Sequence, residues 1–273
     1  MTKEVKVDLH IHSNASDGLF TSRELMRLLA SSGLSAAGLT DHDTIAGLPE
    51  ARDAAQEFDI ELVPGVEISV LYSNNEIHIL GYYPCDLEEL KNGLLEVKID
   101  RFKRMNEMVK KLQRLGFKIK PEEVTAEAGD AAPGRLHLAR LLQKRKYVHT
   151  PDEAFKLYLN KGREAYVPRN GLSLKQAMDL LNDVRAIPVI AHPLSLGREI
   201  IEMLIPMGLQ GIEAFHPEHS NAQVDYYRKL AVELGLIVTG GSDFHGDSKR
   251  YSHYSLQMAI PGHYLDELKR KRK

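Results

Sequence analysis

The stretch Val5-Lys6-Val7-Asp8-Leu9-His10-Ile11-His12 decides how this chain is read. Residues two apart in a β-strand share a face. Val5, Val7, Leu9 and Ile11 therefore form one apolar face, and Asp8, His10 and His12 the opposite, polar one. An apolar face covered by helices and a polar carboxyl end suit a strand of an α/β barrel. Two imidazoles on one face can hold a divalent ion, which accepts histidine nitrogen and carboxylate oxygen.

The same arrangement recurs along the chain. Strands are expected over 5–11, 36–40, 61–67, 76–80, 188–191, 211–215 and 236–239. Metal-ligating residue types stand at or near their ends. Asp17 lies in the turn Asn14-Ala15-Ser16-Asp17-Gly18, and His42 in Thr40-Asp41-His42-Asp43. Glu67 is read as ending the third strand, in Pro64-Gly65-Val66-Glu67, and His78 lies in the fourth. His192 follows the fifth strand, His216 the sixth, and Asp243 and His245 the seventh. Barrel enzymes build their sites from side chains at different strand ends on one rim. This set therefore points to a multinuclear metal hydrolase. His137, His149, His253 and His263 lie outside these motifs and are read as packing or surface residues.

Helical patterns separate most strands. Thr21 and Glu24 form a capping box ahead of Leu25, Leu28 and Leu29, and Gly33 ends that helix. Further helices are expected over 49–58, 174–184, 199–207 and 221–234. Alternating strands and helices imply a parallel sheet, here closed or nearly closed. The run 76–80 is equally compatible with a hairpin across Ser73-Asn74-Asn75. The alternation breaks over 86–168, where helical patterns span 95–115 and 136–144. A segment this long is not a structureless loop. It reads as a helical insertion over the barrel mouth, dividing the chain into barrel (1–95), insertion (96–168) and barrel (169–273).

A chain of 273 residues accommodates one large α/β domain with an insertion. No apolar run is long enough to span a bilayer. No signal peptide is visible ahead of the first strand. Cys85 is the only cysteine, which excludes an internal disulfide and a cysteine-based zinc site, and the expected compartment is the cytoplasm. Net charge is −2, unevenly spread. Residues 101–169 hold 17 Lys/Arg against 8 Asp/Glu, leaving 19 against 30 elsewhere. A basic segment on an acidic body suggests a polyanionic partner.

Taken together, Asp8-x-His10-x-His12, Ser16-Asp17-Gly18, Thr40-Asp41-His42-Asp43, Pro64-Gly65-Val66-Glu67, His78, Ala191-His192-Pro193 and Asp243-Phe244-His245 closely resemble the polymerase-and-histidinol-phosphatase (PHP) family of metal-dependent phosphoesterases. The resemblance covers nearly the whole chain. It implies a distorted (β/α)7 TIM-like barrel and two or three divalent ions, Mn2+, Fe2+ or Zn2+. One ion would take His10, His12, Glu67 and Asp243. A second would share Glu67 with His78 and His192, and a third would take Asp17, His42 and His245. Such ions activate water for attack on phosphorus. His216 and Asp41 are candidates to protonate the leaving alkoxide, and Asp8 and Asp43 to orient ligands.

The middle segment, with Pro133-Gly134-Arg135-Leu136 opening a helix, resembles the ribonuclease AM and 3′,5′-nucleotide phosphatase subgroup. That resemblance implies a nucleotide or short RNA substrate. The reaction would be removal of the 3′-phosphate of 3′,5′-bisphosphonucleotides, or 5′-to-3′ trimming of 5′-phosphorylated RNA. Arg135, Arg198 and His216 are the expected substrate contacts, Arg135 meeting a 5′-phosphate. The alternative is a histidinol-phosphate phosphatase. No membrane and no obligate protein partner is expected.

Overall fold

A computed structural model describes residues 5–73, 75–129, 131–194, 196–246 and 259–272. His253 lies outside them. Eight strands form one sheet in the order β7-β6-β5-β4-β3-β2-β1-β8. They are β1 (Lys6–Ile11), β2 (Ala36–Leu39), β3 (Glu61–Tyr72), β4 (Asn75–Tyr82), β5 (Ile187–Ile190), β6 (Gly211–Phe215), β7 (Ile237–Gly240) and β8 (Ile260–Pro261). The β1–β2, β2–β3, β5–β6 and β6–β7 pairs are parallel. β4 runs antiparallel to both β3 and β5.

Beyond β7 the chain turns back onto β1. The Asp243 amide donates to the His10 carbonyl at 2.9 Å, and the His12 amide donates to the Phe244 carbonyl at 3.0 Å. An isolated parallel bridge joins Ile11 to Phe244. This seam brings the last strand's exit against the first strand at its carboxyl end, so the sheet nearly closes into a TIM-like barrel.

Two features differ from the sequence reading. The third strand does not end at Glu67. It continues to Tyr72 and pairs with β4 in the hairpin that the sequence offered as the alternative, Glu67 opposite Leu80 and Ser69 opposite His78. Apolar residues at Ile68, Val70, Ile77 and Ile79 keep burying one face past the expected end. The other addition is β8, a two-residue strand antiparallel to β1, too short for a periodic signal.

The barrel helices are α1 (Ser22–Ser31), α2 (Leu48–Glu57), α8 (Leu174–Asp183), α9 (Arg198–Leu204), α10 (Asn221–Leu234) and α11 (His263–Lys271). The expected capping box holds α1: the Glu24 amide donates to Thr21 Oγ1, and the Thr21 amide to Glu24 Oε2. Between β4 and β5 stand α3 (Leu87–Gly93), α4 (Leu95–Arg114), α5 (Pro121–Ala128), α6 (Arg135–Lys144), α7 (Pro151–Ala154) and a π-turn at Phe155–Leu159. From α4 onward they bury their own apolar cluster, including Met108, Leu112, Leu138, Leu142 and Leu159. No helix among the described residues is long and apolar enough to cross a membrane.

Close packing between β1, β2 and the seam depends on glycine. A Cβ on Gly38 would lie 2.4 Å from the Leu9 carbonyl oxygen, and one on Gly241 would lie 2.4 Å from the His10 nitrogen. Both obstacles are backbone, which cannot rotate away. Gly38→Ala is therefore expected to destabilise the protein by about 3 kcal/mol or more, read as a lowered urea midpoint at unchanged slope. A midpoint equal to wild type would show that the β1–β2 spacing is not constrained.

Candidate metal centre

β1 supplies His10 and His12 through the alternation set out above. Both are fully buried. His42 follows β2, Glu67 and His78 are diagonal neighbours on one face of the β3–β4 hairpin, and His192 and Asp243 leave β5 and β7 in left-handed backbone conformations (φ 24° and 51°). Such conformations in non-glycine residues are sparse and concentrate at functional sites.

Glu67 stands at the middle. Its Oε1 lies 2.8 Å from His78 Nδ1 and 3.0 Å from His192 Nε2. Its Oε2 lies 3.2 Å from both His10 Nε2 and His12 Nε2, and 3.0 Å from His42 Nδ1. Asp243 Oδ1 adds contacts of 3.4 Å to His10 and 3.0 Å to His12. Asp17 Oδ1 is 3.1 Å from His245 Nε2. The donor atoms group as His10, His12, Glu67 and Asp243; as His42, Glu67 and His78; and as His12, Asp17, His42 and His245. His192 reaches the second group through Glu67 and through His78, 3.3 Å away. His42 stands between the second and third.

The tautomers show what this cluster accommodates. His10 Nδ1 is 2.9 Å from Glu213 Oε1, and His245 Nδ1 is 2.8 Å from the Asp243 carbonyl, so both Nδ1 atoms donate. In a neutral ring the other nitrogen is then an acceptor. Yet His10 Nε2 faces His12 Nε2 at 3.1 Å as well as two carboxylates, and His245 Nε2 faces Asp17. Acceptors aimed at acceptors require a cation between them, either protons or metal ions. With protons alone, burial disfavours charge on His12, but Asp243 and Glu67 outweigh it and push its pKa up to about 10. His10 also rises despite burial, through Glu213 and Glu67. Burial pushes His42 down to about 3 against the attraction of Glu67. Glu67 and Asp243 stay well below the carboxylate range despite burial, held there by the surrounding histidines. A cluster that keeps its carboxylates charged and its imidazole lone pairs convergent fits divalent ions.

Some expected residues lie elsewhere. The Asp41 carboxylate is buried beneath the β1–α1 loop, where it accepts from Ser13 N at 2.8 Å, Ser13 Oγ at 2.7 Å and Ser16 Oγ at 2.5 Å. It holds that loop and does not line the cavity. Arg198, on the first turn of α9, is paired with Glu202 at 2.7 Å and with Glu233 at 2.6 Å, and it too is absent from the cavity lining among the described residues. His216 does line the cavity, with Nε2 at 3.5 Å from Asp243 Oδ2. Arg135 lines it as well, and its guanidinium stacks on Phe155, 5.9 Å from the ring centroid. Asp8 accepts from His10 N and Ser242 N, and so holds backbone at the seam.

Three residues escaped the sequence reading. Glu213 on β6 fixes the His10 ring and accepts from the His192 amide at 2.7 Å. A lone carboxylate inside the apolar run Gly211–Phe215 was the available signal. Arg101 and Arg169, from the ends of the helical segment, both bind the buried Asp43 carboxylate. No periodic signal distinguishes them from their many basic neighbours. The cavity above the donors, about 570 Å³, is walled by this segment through Arg101, Arg104, Arg135, Phe155 and Lys156.

Comparison with known proteins agrees with this geometry. A family model described as PHP domain matches residues 8–129. A 5′-3′ exoribonuclease of Haemophilus influenzae is 35% identical over 252 residues, covering 90% of this chain and 91% of the relative. The chain belongs to the PHP family. It is a metal-dependent phosphoester hydrolase. A 3′,5′-nucleoside bisphosphate phosphatase of Chromobacterium violaceum is 33% identical, covering 88% of this chain and 87% of the relative. A phosphoribosyl 1,2-cyclic phosphate 1,2-diphosphodiesterase of Eggerthella lenta is 30% identical, covering 92% and 98%. A solved structure from Bifidobacterium adolescentis, described as a metal-dependent phosphoesterase, superposes with a TM-score of 0.90 at 27% identity, covering 98% of this chain and 96% of that one.

Asp43 couples this PHP site to the helical segment. Burial works against its charge, but Arg169 and Arg101 outweigh it and hold the carboxyl well below its usual range. Asp43→Asn removes the charge that both guanidiniums share and is expected to destabilise by about 3 kcal/mol. The stabilisation from a lowered carboxyl pKa is present above the ordinary carboxylate range and is lost as pH falls through the folded value. The gap in melting temperature between wild type and Asp43→Asn should therefore be widest near neutrality and narrow progressively as the pH falls below about 4, the ordinary carboxylate pKa. A gap independent of pH would refute the ionic account.

Proposed function

We propose that this chain hydrolyses nucleotide phosphoesters. It would release the 3′-phosphate of 3′,5′-bisphosphonucleotides, trim short 5′-phosphorylated RNA from its 5′ end, or both. The observation that carries this reading is one cavity in which the donor cluster faces a wall of arginines and lysine from the helical segment. A substrate with a scissile phosphate and further anionic groups matches both sides. The names of the Haemophilus and Chromobacterium relatives support nucleotide and RNA substrates.

Two or three divalent ions, Mn2+, Fe2+ or Zn2+, would be held by His10, His12, Glu67 and Asp243; by Glu67, His78 and His192; and by Asp17, His42 and His245. When bound, such ions polarise phosphoryl oxygens and lower the pKa of bound water from about 15.7 toward 7. The protein's own groups do the rest. Glu213 and the Asp243 carbonyl fix the His10 and His245 tautomers so that their Nε2 lone pairs point inward. Glu218 N donates to His216 Nδ1 at 3.2 Å, which leaves Nε2 of a neutral ring as the donor toward the cavity. His216 is therefore the group assigned to the leaving oxygen, in place of Asp41. Arg135 offers its guanidinium to a 5′-phosphate. The proposed compartment is the cytoplasm, where the exposed Cys85 stays a free thiol.

The test incubates manganese-loaded protein with adenosine 3′,5′-bisphosphate, a short 5′-phosphorylated RNA and histidinol phosphate in parallel. AMP release or stepwise RNA shortening is expected, and turnover of histidinol phosphate alone would reject the nucleotide reading. Asp17→Ala, His42→Ala and Glu67→Ala should each abolish hydrolysis while far-ultraviolet circular dichroism stays native. A metal-saturated variant with wild-type turnover would remove that residue from the mechanism. Arg135→Ala should raise KM for 5′-phosphorylated substrates well above its effect on substrates lacking that phosphate. Equal effects on both would reject its assignment.

A further inference from the structure

On β6, Glu213 points inward to His10. Alternation would turn Phe215 the same way. Its ring instead lies 5.1 Å from Tyr264 of α11 and beneath Arg228 of α10, on the helix side of the sheet. The β6–β7 register slips between Glu213 and Phe215, which accounts for the change of face. Bulges of this kind re-aim side chains beside active sites, and the next residue, His216, lines the cavity.

One hydrogen bond, from Glu218 N at 3.2 Å, fixes which nitrogen of His216 serves the cavity. A single hydrogen bond leaves the ring free to swing about it. His219 supplies the missing restraint. Its ring stands at 62° to that of His216, edge against face, with centroids 5.5 Å apart. His219 Nδ1 donates to the Ala214 carbonyl at 2.8 Å, at the bulge itself. Tyr227 of α10 packs against the His219 ring at 5.1 Å, and its hydroxyl donates to the Pro193 carbonyl, next to His192.

His219 is buried and is absent from the cavity lining among the described residues. Burial pushes its pKa below the ordinary histidine value, against the hydrogen bond to Ala214, so the ring is neutral. With the proton on Nδ1, Nε2 carries a bare lone pair, buried and without a hydrogen-bond partner among the described residues. An acceptor buried in this way costs stability. A phenyl ring would fill the space without that cost. What imidazole adds is the bond to Ala214, which hangs the ring from the bulge that aims His216.

We propose that His219 is a positioning residue for His216. Suspended from the Ala214 carbonyl and backed by Tyr227, it sets the plane of the His216 ring so that Nε2–H meets the leaving oxygen. It does not touch the substrate. This rests on the assignment of His216 given above and deepens it, since two histidines on one turn then serve the leaving oxygen as a unit.

The experiment measures kcat and KM of the manganese-loaded full chain on two substrates. The alkoxide leaving from adenosine 3′,5′-bisphosphate needs a hydrogen-bond donor, whereas the phenolate of p-nitrophenyl phosphate leaves without one. In His219→Ala the ratio of the first kcat to the second should fall about tenfold or more, with KM for the bisphosphate little changed. His219→Asn keeps a donor for Ala214, so it preserves the bulge if the alanine variant does not fold. Lacking the ring, it should lower the ratio as well. Added to His216→Ala, neither change should lower the ratio further, because His219 acts only through His216. An unchanged ratio in both single variants would overturn the proposal. A loss of equal size on the His216→Ala background would overturn it too, and would mark a general structural role. If His216→Ala itself leaves the ratio unchanged, the assignment of His216 and this proposal fall together while the nucleotide reading stands. If wild type turns over histidinol phosphate and no nucleotide, the nucleotide reading falls, and the ratio taken with histidinol phosphate, also an alkoxide ester, decides this proposal.

Discussion

A buried carboxylate surrounded by five imidazoles is the constraint on which the site depends. Glu67 lies within 3.2 Å of His10, His12, His42, His78 and His192, and all of its surface is withdrawn from water. An isolated buried charge is very costly, so the residues around it must supply compensating cations or hold them. The five histidines reach it from β1, β2, β4 and β5. Their strand ends cannot drift apart without stranding the carboxylate. Because Glu67 sits inside a long hairpin and not at a strand terminus, the carboxylate is fixed by backbone pairing on both sides.

Around that centre a further set of groups decides which atom of each ring points inward. Glu213 holds His10, the Asp243 carbonyl holds His245, and the Glu218 amide holds His216. The same logic applies to cations on the cavity wall, where Asp43 sets the attitude of Arg101 and Arg169. Orientation in this protein is mostly set by neighbours, not by packing alone. The inward donors could thereby hold metal, and the basic wall lines the same cavity.

Much of this was legible in the sequence. Two-residue alternation placed His10 and His12 on one polar face, and motifs at successive strand ends placed seven more donors around one rim. The helical segment announced itself by breaking the strand–helix rhythm. What escaped notice did so for physical reasons. Asp41 reads as an acid beside a metal ligand, yet three donors from Ser13 and Ser16 absorb its carboxylate, a contact that only the loop's path reveals. Arg198 follows a metal motif, but Glu202 and Glu233 capture it on the surface. Arg101 and Arg169 lie 68 positions apart in the chain and share one oxygen of Asp43, a coincidence of tertiary structure that leaves no local pattern.

The seam between β1 and the segment after β7 has a consequence for how the protein comes into being. The first strand carries His10 and His12, and the last donors, Asp243 and His245, arrive more than two hundred residues later on the segment that closes the ring. During synthesis the amino-terminal strand meets Glu67 early, but its contacts with Asp243 wait until the segment after β7 has emerged. His12 and Asp243, and His12 and His245, belong to groups that could hold a metal ion, and an ion held there would add its binding free energy to the joint. Metal bound at this joint would therefore add to the backbone bonds that already close it, and so strengthen the ring as well as supply its chemistry.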